Sequence, residues 1–257
     1  MKGFFIKKAF FDGWDNLIGL VLFNIVFILL FGVMLYAMSL IEISGILALL
    51  AMSGVLLLFA LVMGGTSGAI FNYSNYQRDS WSAFVKAFSR NLKHSLLFFV
   101  VSFLMIAVIT YVIPFYLTAG KAVGLIIAVL LFWLEFLLFL GLPFYFPLMN
   151  LLPGDRPMKT LKKCFLIVGD NIGFALFFML YNLIVIVLSV FTLGMIPGVG
   201  GSMLAAQDAM KLIMFKYDYL EENPDADKKH IPWADLLYDE KEKVGPRTLK
   251  NMIFPWK

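Results

Sequence analysis

Charged side chains are scarce in this chain, and cysteine is almost missing. Asp, Glu, Lys and Arg make up 15% of the 257 residues, against 61% hydrophobic residues. A soluble domain carries about a quarter charged residues and wraps its core in polar surface. With 27 Phe and five Trp, too little polar material remains for that surface, which excludes a water-soluble globular fold. The single cysteine, Cys164, excludes an internal disulfide framework and a thiolate metal cluster; beside Phe165 it reads as a small hydrophobe. The two histidines, His94 and His230, lack metal-ligand spacing and are expected outside the spans. There is no HExxH helix, no GxSxG elbow and no phosphate-binding loop. The expectation is a protein without cofactor or metal, and not an enzyme.

Long apolar runs are what the chain has. They predict an all-α polytopic bundle of six transmembrane helices over residues 17–40, 45–67, 96–117, 123–146, 172–193 and 195–219. A C-terminal tail over 221–257 follows. The sixth span is the weakest by composition. Its apolar start covers 12 residues, about 18 Å of helix, before Gln207 and Asp208. Pro114 should kink or stop the third span and Gly141-Leu142-Pro143 should kink the fourth. The N-terminal basic residues precede no small-residue cleavage site, so the first apolar run reads as a retained span.

Basic residues set the orientation. Of 21 Lys and Arg, only Lys121 falls in a link assigned to the outside. The positive-inside rule then places both termini in the cytoplasm, and an even number of spans agrees with it. Basic loops there face anionic inner-leaflet lipid rather than nucleic acid.

Amphipathic segments over 3–12, 80–92 and 157–168 are expected to lie at the inner interface, the second capped by Asp79 or Ser80. Lys8-Ala9-Phe10, Lys86-Ala87-Phe88 and Lys163-Cys164-Phe165 recur at spacings of 78 and 77 residues, and Asp15-Asn16-Leu17 is matched by Asp170-Asn171-Ile172. The pattern predicts three parallel copies of an interfacial helix plus a transmembrane hairpin. In the tail, the patches around Trp233 and Trp256 should dock on the bundle or the lipid interface.

Five polar residues within the spans form the candidate intramembrane site: Glu135, Asp208, Gln207, Asn24 and Asn182. An intramembrane carboxylate such as Glu135 marks a proton, ion or substrate site, or else an internal hydrogen bond to Asn24, Ser102, Asn182 or the backbone. Asp208 and Lys211 are three apart and suited to pairing on one face, and Asp208 also suits a polar cavity shared with Glu135. Asn24 and Asn182 read as packing glue or substrate contacts. The glycine clusters over 64–68 and 198–201 permit close helix approach or local unwinding.

The segments Lys8-Ala9-Phe10-Phe11-Asp12-Gly13-Trp14-Asp15-Asn16-Leu17 and Trp81-Ser82-Ala83-Phe84-Val85-Lys86-Ala87-Phe88-Ser89-Arg90-Asn91 each lead into a span. Together with the small-residue exit of span 2 and the ending RTLKNMIFPWK, they give an arrangement that resembles the YesL-like family of bacterial membrane proteins, a domain of unknown function, over about residues 1–215. That resemblance implies an inner-membrane protein associated with carbohydrate uptake, and it supplies no catalytic residues. Two readings stay open: a transport-related or transport-accessory protein, and a structural partner of a transporter or other membrane protein, or a lipid-binding scaffold.

Overall fold

The computed structural model describes residues 1–118, 122–227 and 230–248, and among them there is no β-strand. Lys121, the Lys228–Lys229 pair and the terminal segment with Trp256 lie outside the described residues.

Helix α1 (Lys2–Asp15) leads into α2 (Leu17–Ser39), and α3 (Gly45–Ser74) returns antiparallel to it. Helix α4 (Trp81–Arg90) leads into α5 (Leu92–Ala107), which continues through a π-helical turn (Val108–Val112) into α6 (Ile113–Thr118). Pro114 has no amide to give to the turn before it. The helix absorbs this with the π turn and runs on to Thr118 instead of stopping. Helix α7 (Ala122–Gly141) returns, passes a 3-10 turn at Leu142–Phe144 around Pro143, and becomes the buried helix α8 (Tyr145–Leu151). Helix α9 (Pro157–Asp170) leads into α10 (Ile172–Phe191), α11 (Gly198–Glu222) returns, and α12 (Trp233–Leu236) and α13 (Tyr238–Val244) follow.

Among the described residues, five segments are long and apolar enough to cross a bilayer: Leu17–Glu42, Gly45–Ser74, Leu92–Thr118, Ala122–Leu151 and Ile172–Phe191. This is the architecture of a multi-pass membrane protein. In the apolar stretch of Leu92–Thr118 no residue is buried by the rest of the protein, so those side chains need lipid around them. The sixth long helix, α11, is not among the five because Gln207, Asp208 and Lys211 interrupt its apolar run. Every residue from Met203 to Met210 in α11 is nevertheless buried, since α1, α2, α3, α8 and α10 all pack on it. Its polar residues are enclosed by protein.

One junction recurs three times. A single asparagine separates α1 from α2 (Asn16), α4 from α5 (Asn91) and α9 from α10 (Asn171), each outside helical φ/ψ. Each carbonyl accepts the first bond of the following helix, from Leu20, Ser95 and Ala175. The Nδ2 of Asn16 and of Asn171 donates back to the carbonyl four residues earlier, at 2.8 and 2.9 Å. Asn91 instead donates to Gly64 of α3 at 3.0 Å. Asparagine suits such a break because its amide competes for backbone partners.

The glycine cluster of α3 stays helical and serves close approach. A Cβ on Gly68 would stand 2.8 Å from the Ala83 carbonyl of α4. Ser80 occupies the N-cap position of α4 without capping it; its hydroxyl accepts from Tyr73 Oη at 2.6 Å. Helix α1 is anchored through Phe5, which is fully buried with its ring 5.1 to 6.1 Å from Phe174, Phe177, Phe178 and Tyr181 of α10. Trp233 of the tail packs on the same core. His94 is buried in the first turn of α5, against its expected place outside the spans, because Tyr145 Oη of α8 meets its Nδ1 at 3.0 Å.

Candidate functional site

The five residues singled out in the sequence separate into four places. Asn24 and Gln207 line a cavity of about 910 Å³, open on one side, between α2, α3, α5, α7, α8, α10 and α11. Asp208, one residue on, turns to the other side of α11 into a cluster of charges. Glu135 is buried in α7 but lines neither this cavity nor the second one below, and its Oε2 has no hydrogen-bond partner among the described residues. Asn182 stands behind the cavity wall, its Oδ1 accepting from Ser202 at 2.6 Å.

Asn24 builds the end of the cavity beside the start of α11. Its Nδ2 donates to the carbonyls of Met195 and Pro197, both at 2.8 Å, and its Oδ1 accepts from Gly200 N at 2.7 Å. These bonds satisfy backbone groups left open at the start of α11. Gly198 holds φ +62 there, and a Cβ on it would meet the Asn24 side chain at about 2.5 Å. This second glycine cluster is therefore a helix start fitted around one amide.

The walls are apolar, including Phe27, Phe59, Met63, Phe98, Phe146 and Val185. At the end beside α8 sits Gln207, 1% exposed, whose Oε1 accepts from Asn150 Nδ2 at 3.3 Å. Gln207 Nε2 and Asn150 Oδ1 have no partner among the described residues. An unpaired amide in an apolar space costs about 1–3 kcal/mol and is the natural anchor for an oxygen of a bound molecule. Exposed apolar side chains at Phe31, Val190 and Leu193 border the cavity at its other end.

Below Gln207, four parts of the chain meet at a buried cation. Lys8 of α1 is 0% exposed; its Nζ donates to Asp12 Oδ2 (2.6 Å), the Ser74 carbonyl (3.1 Å) and Tyr76 Oη (3.0 Å). It also lies 3.2 Å from Glu240 Oε2 of α13 and 3.5 Å from Asp208 Oδ1 of α11. Ser74 Oγ donates to Asp208 Oδ1 at 2.6 Å, and Tyr76 Oη to Glu240 Oε2 at 2.9 Å. Tyr76 takes a positive φ of 61° where it enters this cluster. Lys211 does not pair with Asp208 three residues away, as its spacing suggested; it reaches Glu240 Oε1 at 3.0 Å and the Ser74 carbonyl at 3.1 Å. The tail helix supplies the nearer carboxylate.

Asp12, Asp208 and Glu240 thus face the two ammonium groups of Lys8 and Lys211, with half-exposed Lys243 at 3.4 Å from Glu240 on the rim. Burial works against the charge on Lys8, but Asp208 and Asp12 outweigh it and hold its ammonium above the usual range. Burial likewise opposes ionisation of Glu240, yet Lys8 and Lys211 hold it down at about 2. Asp12 goes the other way: burial and the Asp208 charge push it up, against the pull of Lys8. The carboxyl groups of Asp12 and Asp208 also meet each other, and a proton held on Asp12 can be donated to Asp208; Asp12 Oδ1 and Asp208 Oδ2 have no other donor among the described residues. Cys164 takes no part; burial pushes its thiol up to about 12 and leaves it unreactive.

Lys8, Asp12, Tyr76, Asn150 and Glu240 were not among the candidate site residues read from the sequence. The signal for two of them is the buried stripe Phe5, Lys8, Ala9 and Asp12 at helical spacing, which carries an oppositely charged i, i+4 pair on an apolar face. No family model, curated protein or solved structure matches the chain.

Proposed function

We propose that this chain is a six-span protein of a bacterial cytoplasmic membrane, both ends inside, that holds an amphiphilic, lipid-like molecule in its central cavity. It acts as a binding scaffold, without catalysis and without passing polar solutes. The observation that carries this reading is the cavity itself: about 910 Å³ of mostly apolar wall with the unpaired Gln207 amide at one end. Ligand cavities run to roughly 300–1,000 Å³, with a few placed polar groups that fix orientation. A sugar would need many hydroxyl partners, and the walls offer mainly Asn24, Ser67, Ser189, Ser202 and Gln207, of which Asn24 is already used by backbone.

The enclosure of α11 by five other helices supports its reading as a sixth span. The three asparagine junctions support three repeats of interfacial helix and hairpin. Membership of the YesL-like family and service to a carbohydrate-uptake system rest on the sequence motifs; in this reading a partner transporter moves the sugar.

The test is mass spectrometry of the organic extract of protein purified in mild detergent, with displacement of a fluorescent fatty acid as a second readout. Val199→Trp, which fills the cavity from the first turn of α11, should lower occupancy at least tenfold. Glu135→Gln, which does not line the cavity, should leave it unchanged. Absence of any bound amphiphile together with no probe binding by the wild type would sink the reading, as would a Glu135→Gln loss as large as that of Val199→Trp.

A further inference from the structure

A second cavity, of about 810 Å³, opens at the end of the bundle that carries α1 and α4. Its apolar part runs along Leu17, Leu22, Phe23 and Val26 of α2 and Val62 of α3. From residue 17 to 26 the helix rises about 14 Å. Gly19 forms the floor where α2 meets α3, and any Cβ there would collide with the Tyr73 hydroxyl. The polar part is the mouth, bordered by Asp15, Asn16, Arg78 and Ser80, with Trp14 and Trp81 on either side. Trp14 stacks on Phe10 and Trp81 on Phe84, so both indoles are held while remaining 52% and 72% exposed. Indoles in such places favour the boundary between headgroups and acyl chains.

The charge at the mouth has one sign. Asp15 is taken by Arg247, whose Nη1 donates to both carboxylate oxygens at 2.8 and 2.9 Å. The Arg78 guanidinium is exposed and makes no hydrogen bond or ion pair within the protein among the described residues. The Ser80 hydroxyl is used within the protein, accepting from Tyr73 and donating to the Arg78 carbonyl at 3.4 Å. A free, planar cation above an apolar groove matches a phosphodiester with a hydrocarbon chain.

We propose that this groove binds one anionic phospholipid, its phosphate on the Arg78 guanidinium and one acyl chain along the α2 face from Gly19 to Val26. The site is separate from the central cavity and shares no lining residue with it. It rests on the membrane reading only for the leaflet it draws from, the one beside α1 and α4. Its occupant ties the α1–α2 junction to the α3–α4 link, so an anionic lipid would brace two of the three asparagine-linked units.

Native mass spectrometry of the full chain, released from nanodiscs containing equal phosphatidylglycerol and phosphatidylcholine, tests this. Wild type should retain one phosphatidylglycerol at least fivefold over phosphatidylcholine. Arg78→Ala should remove that preference, while Lys86→Ala on exposed α4 surface outside the groove should keep it. Leu22→Trp fills the groove at a side chain 62% exposed, so the fold is spared, and should abolish retention of either lipid there. Glycerol phosphate in excess should not displace the lipid; displacement would make this a site for soluble phosphate and overturn the proposal. Equal retention of both lipids by wild type, or an unchanged preference in Arg78→Ala, would also overturn it. Val199→Trp separates the two sites: it empties the central cavity and leaves this lipid in place.

Discussion

Replacing Lys8 with methionine removes the cation that three carboxylates share while keeping an apolar stem of similar length. In the native structure Lys8 Nζ lies 2.6 Å from Asp12, 3.2 Å from Glu240 and 3.5 Å from Asp208, and all four side chains are essentially without solvent. At an effective dielectric constant of about 20, one unit pair at 3.5 Å attracts by about 5 kcal/mol, most of which is offset by desolvation. Removal leaves the desolvation cost of the carboxylates standing, and buried pairs broken in this way lose about 3–5 kcal/mol. Lys8→Met should therefore lower the thermal midpoint of detergent-solubilised protein by about 10 °C at pH 7.5, read by fluorescence-detected size exclusion. The tail should open with it, because Glu240 of α13 is held by Lys8 and Lys211. Limited proteolysis between α11 and α13 should accelerate. At pH 5.5 part of the loss should return, since carboxylates that have lost their cation take up protons. The reasoning is refuted if Lys8→Met stays within about 1 kcal/mol of wild type at both pH values.

Asp12 gives a linked prediction. Its folded pKa is raised to about 8, so its contribution to stability is full below the ordinary carboxylate range and is lost as pH rises through about 8. Stability should fall by up to about 1.4 kcal/mol per pH unit in that window, and Asp12→Asn should flatten the fall when midpoints are measured from pH 5 to 9. Glu240, held at about 2, acts in the opposite sense, its contribution present above the usual glutamate range and lost only as pH drops towards 2. Phe5→Ala should cost about 3–5 kcal/mol, because the ring is fully buried among four aromatic side chains of α10; a measured loss under about 1 kcal/mol would remove α1 from the core. Asn24→Ala should cost about 2–4 kcal/mol, three hydrogen bonds at about 1 kcal/mol each with some desolvation. Hydrogen exchange should then rise at the amides of the first turn of α11 and leave the α3 core unchanged.

Membrane insertion and helical character were legible because they are local properties. A run of apolar residues such as 17–40 needs no distant partner to demand lipid and an internally bonded backbone. The breaks between amphipathic and apolar helices are local too, since Asn16 and Asn171 act on carbonyls four residues away. Partnership was the part that composition could not decide. Asp208 has Lys211 three residues on in sequence, yet the fold gives it Lys8 and Ser74, 200 and 134 residues distant, and gives Lys211 to Glu240. Burial decides which charge is nearest, and burial follows from the packing of α1 and α13 on α11. The same holds for the polar residues within the bundle. Apolarity along each helix says that Asn24, Glu135 and Gln207 are enclosed, but only the rotation of the helices about one another puts two of them in a cavity and leaves Glu135 outside it.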